Sequence, residues 1–394
     1  MDLTGLSNSA INIVLVLAIL VALVVIHEFG HFMAARRAGV RVHEFGIGLP
    51  PRALTYHRSR DTAYTLNWLP LGGFVRLEGE DGDSEDPRSF TQQPLRVRTA
   101  ILLAGVAMNI VLAFVVFTFI AGFADPSVEV RINGLAPATT SGHPAPSVTA
   151  GLQPGKVIGG TAANPVYDDS GDLIVAIDGQ QFAWFDAGAT GEPNAGIAYL
   201  KAHAGQQVVL TVKHADGTTQ DIPVLLNTKA VADAAPLVDG TIGQGTLGIR
   251  DYWYQAGPAL ARDPLQAITL GAERTAQAAL VVLNALANLF GNLTNPQVAG
   301  PIGIVSLVGQ VRTAAPPIFL VYLVGLLSAN LAVVNALPIP PFDGGRVLVG
   351  VLKRVMGARY SVQAERATYL VGFVLLFAFI VWISYFDIAR LGGG

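Results

Sequence analysis

His27, Glu28 and His31 form a His-Glu-x-x-His motif near the start of the chain. On a helix, residues four positions apart lie on one face, so both imidazoles can bind one metal ion. Glu28 lies beside them, where its carboxylate could take a proton from a water molecule at that metal. The motif therefore predicts a metal-dependent hydrolytic site, but it does not identify the third protein ligand that such a site requires.

The motif follows directly on an apolar run from Ile11 to Ile26. Ionisable groups in such a segment indicate function by default, because placing them in lipid is costly. Only 13% of the 394 residues are charged and 52% are hydrophobic, whereas about a quarter of the residues of soluble domains are charged. The composition therefore predicts an integral membrane protein.

Charge and cysteine content exclude several function classes. The chain has no cysteine, which excludes disulfides, thiolate zinc sites and a cysteine nucleophile. A net charge of −3 argues against nucleic acid as a partner. The lipid bilayer is the partner that the composition predicts.

Four apolar segments are predicted to cross the membrane, at about residues 9–35, 99–123, 318–337 and 367–388. Residues 36–98 contain ten arginines, whereas residues 1–35 contain no lysine or arginine, and the loop 346–366 is also basic. Positively charged loops favour the cytoplasm. Both loops are therefore predicted to be cytoplasmic, with both termini outside.

The predicted fold class is a multi-pass α-helical membrane protein with a membrane-associated β-region and an inserted extracytoplasmic β domain. The β-region is predicted from Val40 to about Leu77, where short alternating segments are separated by Gly and Pro. Four divisions are predicted. They are an N-terminal membrane core (residues 1–126), the β domain (127–252), an amphipathic helical region on the membrane surface (253–316) and a C-terminal membrane core (317–394).

Local patterns support these divisions. In the β domain, segments 207–212 and 219–226 joined through Asp216-Gly217 predict a hairpin. An amphipathic helical pattern runs from Gly257 to about Phe290 and is typical of a helix lying along the membrane rather than crossing it. The histidines of the β domain have no mutual spacing and are expected at the surface: His143, His203 and His214.

Asp343 is the strongest candidate for the third metal ligand. It follows the third predicted span on the same side of the membrane as the histidine motif, and three prolines before it break the helix: Pro338, Pro340 and Pro341. Non-helical backbone at membrane depth is tolerated only where it lines a cavity inside the protein. The alternative is that Asp343 simply caps a helix after a proline turn.

Several motifs resemble those of the site-2 proteases, a family of intramembrane zinc metalloproteases. Residues 27–31 resemble the family's zinc box, and residues 335–345 its Asn…Pro-x-Pro-x-Leu-Asp-Gly box. Further similar segments are 45–48 and 72–75 in the β-region, 104–105 with Asn109 in the second span, 298–304, and two segments typical of a PDZ domain, 150–152 and 177–179. The resemblance covers nearly the whole chain and is greatest to the PDZ-containing bacterial branch, the regulator of sigma-E proteases.

The resemblance implies Zn²⁺ held by His27, His31 and Asp343, with Glu28 as general base. It also implies a bacterial inner-membrane location and cleavage of single-span membrane proteins such as anti-sigma factors, usually after a first cut by another protease. The oligomeric state remains open. Phe342 and Val106 depart from the usual Leu and Pro of the family, and residues 156–170 form an apparent insertion in the PDZ-like domain.

Candidate substrate-binding residues follow from the same resemblance. Asn335 resembles the family asparagine that binds the substrate backbone, although hydrogen bonding between helices is an equal alternative. Gly72, Gly73 and Phe74 belong to a β-region whose edge could accept an unwound substrate segment as an added strand.

Two other functions remain open from sequence. One is a catalytically idle membrane adaptor that uses its PDZ-like domain for binding. The other is a metal transporter or sensor, because an intramembrane His/Asp cluster can also line an ion path. Neither requires a glutamate between the histidines, so the intact Glu28 favours the protease.

Overall fold

A computed structural model describes residues 3–80, 84–161, 165–185, 195–291, 296, 298–357 and 362–392. The chain divides into two compact units. The first, called here the membrane unit, consists of residues 1–120 and 264–394, and the second, called the β unit, consists of residues 121–263.

The helices and strands follow one another in this order: α1 Leu3–Arg37, β1 Val42–Arg58, β2 Ala63–Leu77, α2 Leu95–Phe123, β3 Pro126–Leu135, α3 Pro146–Thr149, β4 Val157–Gly160, β5 Pro165–Tyr167, β6 Leu173–Ile177, α4 Ala195–Ala202, β7 Gln207–Lys213, β8 Thr219–Leu225, α5 Lys229–Ala234, β9 Ile249–Ala259, α6 Pro264–Gly291, α7 Pro301–Ala314, α8 Ile318–Ala336, α9 Asp343–Met356 and α10 Val362–Gly392.

Within the described residues, four helices are long and apolar enough to cross a membrane: Ser9–Arg37, Leu95–Phe123, Ile318–Ala336 and Gln363–Arg390. They match the four predicted spans to within a few residues. A membrane protein with an additional β-region is therefore confirmed. The third of these helices ends at Ala336, because the chain turns to extended backbone at Leu337 before Pro338.

The membrane unit also contains a long antiparallel hairpin of β1 and β2, at the place of the predicted β-region. Its register runs from Val42 opposite Leu77 to Arg58 opposite Ala63, with several irregularities. Near the ends of the hairpin, side chains pack into a core with α1 and α2 that includes Phe32, Phe45 and Ile101. Large apolar side chains nearer the turn of the hairpin are exposed: Leu54, Tyr56, Trp68 and Leu69.

Residues 346–366 were predicted to be a loop, and this prediction is wrong for most of the segment. Residues 343–356 form α9, in which small and apolar residues such as Val349 and Gly350 are buried. Lys353 and Arg354 lie in its last turn. The basic residues that indicated a loop are typical of the polar face of an amphipathic helix. Residues 358–361 lie outside the described part of the chain.

The β unit is built on a five-stranded antiparallel sheet in the order β8-β7-β6-β3-β9. Its core contains Ile132, Ile174, Leu210 and Val212 from the sheet, packed with Leu247. The predicted hairpin at Asp216-Gly217 is confirmed as β7 and β8. The apparent insertion at 156–170 contains a small hairpin of β4 and β5, apart from residues 162–164, which are not among the described residues.

The end of the β unit lies further along the chain than the predicted boundary at residue 252. Strand β9 continues to Ala259 beside β3, and α6 begins at Pro264 rather than at Gly257. Gly257 and Pro258 belong to the end of this strand. The reason is that backbone pairing with β3 outweighs the local helical pattern of the sequence.

Candidate metal centre

Helices α1 and α9 bring three metal-binding side chains together. His27 and His31 lie one turn apart on α1, and Asp343 is the first residue of α9. The Nε2 atom of His27 lies 2.9 Å from Oδ2 of Asp343 and 3.0 Å from Nε2 of His31, and the latter lies 3.2 Å from the same carboxylate oxygen. All three residues are buried. The predicted convergence of Asp343 with the histidine motif is present in the structure.

The proton on His31 indicates what the cluster can hold. Its Nδ1 atom lies 2.8 Å from the carbonyl oxygen of Ile101, so Nδ1–H is the donor and Nε2 of the neutral ring carries a lone pair. That lone pair faces the carboxylate of Asp343 and the second imidazole. Three electron-pair donors directed at one another repel unless a cation lies among them, so the donor set fits a metal ion.

The distances between these donor atoms also fit zinc. In a tetrahedral zinc site with bonds of about 2.0–2.1 Å, neighbouring ligand atoms are about 3.3 Å apart. The three observed separations lie between 2.9 and 3.2 Å. Small adjustments therefore suffice for two histidines and one carboxylate to occupy three corners, which leaves the fourth for water.

Asp343 does not act as a helix cap, which was the alternative role. The residue at the N-cap of α9 is Phe342, and the cap makes no side-chain hydrogen bond. The Oδ2 atom of Asp343 instead faces Nε2 of His27 and Nε2 of His31, at 2.9 and 3.2 Å. The side chain is therefore placed to bind a metal together with the two histidines, which a carboxylate does in its ionised form.

Helix α2 lies unusually close to both histidines. A Cβ atom added at Gly105 would lie 2.5 Å from Nε2 of His31 and 2.8 Å from Cε1 of His27. A Cβ added at Gly30, between the two histidines on α1, would lie 2.3 Å from the carbonyl oxygen of Ala104. Small residues at both positions allow this close approach of the helices, as is common in membranes.

Glu28 lines a cavity of about 160 Å³ together with His31 and Asp343. The carboxylate oxygens of Glu28 and the ring nitrogens of the two histidines offer atoms within 4.8 Å of one another. Glu80 and Arg346 belong to the same wall and form an ion pair of 2.6 Å. The cavity thus contains an acid, metal-binding groups and room for a few water molecules.

The predicted substrate-binding residues do not all lie at this cavity. Phe74 lines it. Gly72 and Gly73 instead pack against Val24 and Val25 of α1, one turn before the histidine motif. Asn335 is partly exposed in the last turn of α8 and is not among the residues that line the cavity.

Sequence reasoning missed Glu80, Arg346 and the carbonyl of Ile101 as parts of this site. Arg346 had a recognisable signal, because it follows Asp343 by three residues and so lies above it on a helix. Glu80 belongs to the acidic stretch from Glu78 to Asp86, which by sequence alone is typical of a solvated loop. A backbone carbonyl has no sequence signal at all.

Comparisons with known proteins agree with this geometry. Residues 15–379 match the model of peptidase family M50. Relatives named as candidate zinc metalloproteases include proteins of Clostridium perfringens, 29% identical over 93% of this chain and 95% of the relative, and of Nostoc, 27% identical over 96% of each. A third, from Agrobacterium fabrum, is 26% identical over 100% of this chain and 99% of the relative.

The family model covers almost the entire chain, so the protein belongs to peptidase family M50, the site-2 protease family. It is a membrane protein and a zinc metalloprotease, with Zn²⁺ as its cofactor.

Proposed function

We propose that this enzyme hydrolyses peptide bonds in or near the transmembrane segments of single-span membrane proteins, with zinc bound by His27, His31 and Asp343. The observation that carries the proposal is the convergence of these three donor atoms within 3.2 Å beside a carboxylate that lines the same cavity. Helices α1 and α2, which contribute His31 and Ile101 to the cavity wall, are long and apolar enough to cross a membrane.

Bound zinc supplies a Lewis acid that lowers the pKa of water and stabilises negative charge on the substrate oxygen. In the proposed mechanism, a carboxylate oxygen of Glu28 takes a proton from the attacking water and delivers it to the leaving amine nitrogen. His31 keeps its proton on Nδ1, and the carbonyl oxygen of Ile101 accepts a hydrogen bond from this N–H group. Phe74 and Leu102 add apolar side chains to the cavity wall.

Exchange of Glu28 for Gln tests the catalytic assignment. The Gln variant of the full-length protein should bind one zinc ion and lose cleavage of a helical membrane substrate by a factor of about 10² or more. Alanine at His27 is the control, because it should lose the zinc as well. Hydrolysis at the normal rate by zinc-loaded Glu28→Gln protein would overturn the proposed role.

The β1–β2 hairpin is proposed to lie in the membrane and to receive the substrate. Its exposed apolar side chains, among them Leu54 and Trp68, support contact with lipid. A substrate helix must unwind before its peptide bonds can react, and pairing with a strand edge restores the lost backbone hydrogen bonds. A proline placed at successive exposed hairpin positions should reduce cleavage where it interrupts pairing, while zinc content stays unchanged.

The β unit is proposed to be a PDZ-like domain that selects substrates. An apolar groove of about 230 Å³ is lined by Ile197 and Leu200 of α4 and by Ile249 and Tyr252 of β9, which is at the edge of the sheet. An extended peptide could add to this edge and place its last side chain in the groove. Peptides with a free C-terminal carboxylate should bind the full-length protein, whereas amidated peptides of the same sequence should bind more weakly.

The proposed location is the bacterial inner membrane, with four crossings, both termini and the β unit outside, and the metal site towards the cytoplasm. The arginine-rich segment 36–98 supports this orientation. Because the chain has no cysteine, single cysteines can be introduced and labelled in intact cells. Labelling from outside should be strong in the β unit and weak between α1 and α2. The substrate class is tested by co-expression with single-span anti-sigma factors.

A further inference from the structure

A histidine that binds a metal through Nε2 carries its proton on Nδ1, and such a buried N–H group needs an acceptor. For His31 the acceptor is the carbonyl oxygen of Ile101, at 2.8 Å. For His27 the neighbour is a side chain: Nδ1 lies 3.3 Å from Nδ2 of Asn109 on α2. The two histidines are therefore supported by different groups of one helix.

Asn109 is fully buried. Its Oδ1 atom makes no hydrogen bond to any residue that the structure describes. The two ends of an asparagine amide have nearly the same shape, so the hydrogen-bonding surroundings decide which end faces a neighbour. When His27 carries its proton on Nδ1, Oδ1 is the end that can accept it, and the buried oxygen then gains a partner.

We propose that Asn109 is a positioning residue, whose side-chain oxygen accepts the Nδ1–H of His27 and keeps the lone pair of Nε2 directed at the metal. This inference rests on the assignment of His27 as a zinc ligand in the proposed function. Asn109 touches neither the metal nor the substrate in this role. It acts through the orientation and tautomer of the imidazole.

The position of Asn109 is itself fixed from a third helix. The hydroxyl of Ser328, buried on α8, donates a hydrogen bond of 2.8 Å to the backbone carbonyl of Asn109. The preceding residue on α2, Met108, packs against α1 at Gly30, where an added Cβ atom would lie 2.7 Å from Cγ of Met108. The amide is thus held at a defined height beside the histidine motif, which a positioning role requires.

Loss of the acceptor should weaken zinc binding without removing a ligand. Groups that accept the second N–H of a ligating histidine typically contribute about 10- to 100-fold to metal affinity. Leucine at position 109 has the same branched arrangement of heavy atoms as asparagine, with bulkier methyl groups and no acceptor. Aspartate keeps an acceptor at the same place, and it forms the carboxylate–histidine–metal arrangement common in zinc proteins.

The test measures zinc affinity of the full-length protein by competition with a chromogenic chelator. Asn109→Leu should bind zinc about 10- to 100-fold more weakly than the wild type, and Asn109→Asp should recover most of that loss. Phe117→Met, at another fully buried position of α2 that packs against Tyr322 of α8, is the packing control and should stay close to wild type. The visible absorption of the Co²⁺-substituted protein should change in the Leu variant and be restored in the Asp variant.

The proposal is overturned if Asn109→Leu binds zinc with wild-type affinity and gives an unchanged Co²⁺ spectrum, whether or not the Asp variant folds. It is also overturned if Phe117→Met loses as much affinity as Asn109→Leu, since the effect is then one of packing. His27→Ala separates this inference from the proposed function. Wild-type zinc affinity in that variant contradicts the ligand assignment itself, whereas zinc loss there combined with normal affinity in Asn109→Leu contradicts only the positioning role.

Discussion

Arg346 and Glu80 form an ion pair in which Nη2 lies 2.6 Å from Oε1, at the wall of the cavity that contains Glu28. The other oxygen of Glu80 accepts the backbone N–H of Leu77, at the end of β2. Arg346 lies one turn after Asp343 on α9. The pair therefore connects the helix that presents the proposed third ligand with the end of the hairpin.

Removal of one partner of this pair should be more harmful than removal of both. Arg346→Met leaves Glu80 without its cation in a cavity that already contains Glu28 and Asp343, and should cost about 1–3 kcal/mol of stability. A double-mutant cycle with Glu80→Gln, measured from the thermal unfolding of zinc-loaded protein, should give a coupling energy of about 1 kcal/mol or more. Purely additive effects would show that the ion pair does not hold α9.

Gly105→Ala should abolish high-affinity zinc binding. The added Cβ would lie 2.5 Å from Nε2 of His31, closer than real Cβ contacts allow. Either α2 moves away from α1, or the imidazole leaves its position, and both changes separate the ligands. Zinc content after dialysis is the measurement. Gly291→Ala is the matched control, because its added methyl group meets no atom of the described residues within 4 Å, and it should retain zinc.

Much of the site was predictable because its chemistry is local in sequence. Two histidines at helical spacing with Glu28 between them predict a metal site from the geometry of a single helix. Asp343 was found from the proline-broken backbone before it. The β-region and four spans follow from composition and alternation, for which neighbours along the chain suffice.

The remaining parts of the site depend on packing between helices. Gly105 contacts the histidines only because α2 lies against α1, and neither sequence segment specifies that approach by itself. Glu80 reads as part of a solvated acidic loop until α9 brings Arg346 to it. Likewise, most of helix α9 was predicted to be a loop, because its basic residues are visible in the sequence whereas the burial of its opposite face is not.

Asp387 should be important for the position of α7. This buried carboxylate on α10 accepts hydrogen bonds from the backbone N–H groups of Gly300 and Gly303, at 3.2 and 2.8 Å. Asp387 thus accepts hydrogen bonds from free N–H groups at the start of α7, because the N-cap residue, Gly300, has no side chain that could accept them. Asp387→Leu should lower stability by about 1–3 kcal/mol, measured by thermal unfolding. Asp387→Asn, which keeps one acceptor, should lose less, and equal losses would contradict this explanation.

His214 should make the stability of the β unit depend on pH. Its Nδ1 lies 2.8 Å from Oδ1 of Asp172, and this hydrogen bond raises the pKa of His214 above its ordinary value of 6.5. A raised pKa in the folded state stabilises the fold fully below pH 6.5, and the contribution disappears as the pH rises through the folded-state pKa. The unfolding temperatures of wild type and His214→Gln should therefore differ most near pH 6 and converge at higher pH.

His203→Gln provides the control for this prediction. His203 lies in the same unit, but its Nδ1 is 2.8 Å from the backbone carbonyl of Tyr199 rather than from a carboxylate. A difference between wild type and His214→Gln that grows with rising pH would contradict the predicted sign.

His27 and Asp343 are separated by 316 positions along the chain. A ribosome that has just delivered α1 to the membrane has made two imidazoles of the proposed donor set but not its carboxylate. The β unit and three further long helices must be synthesised before α9 emerges. Stalled or prematurely terminated chains consequently cannot complete the metal site, and a growing chain cannot cut its neighbours in the bilayer. With the proposed ligand set, proteolytic competence thus arises only after α9 has been synthesised.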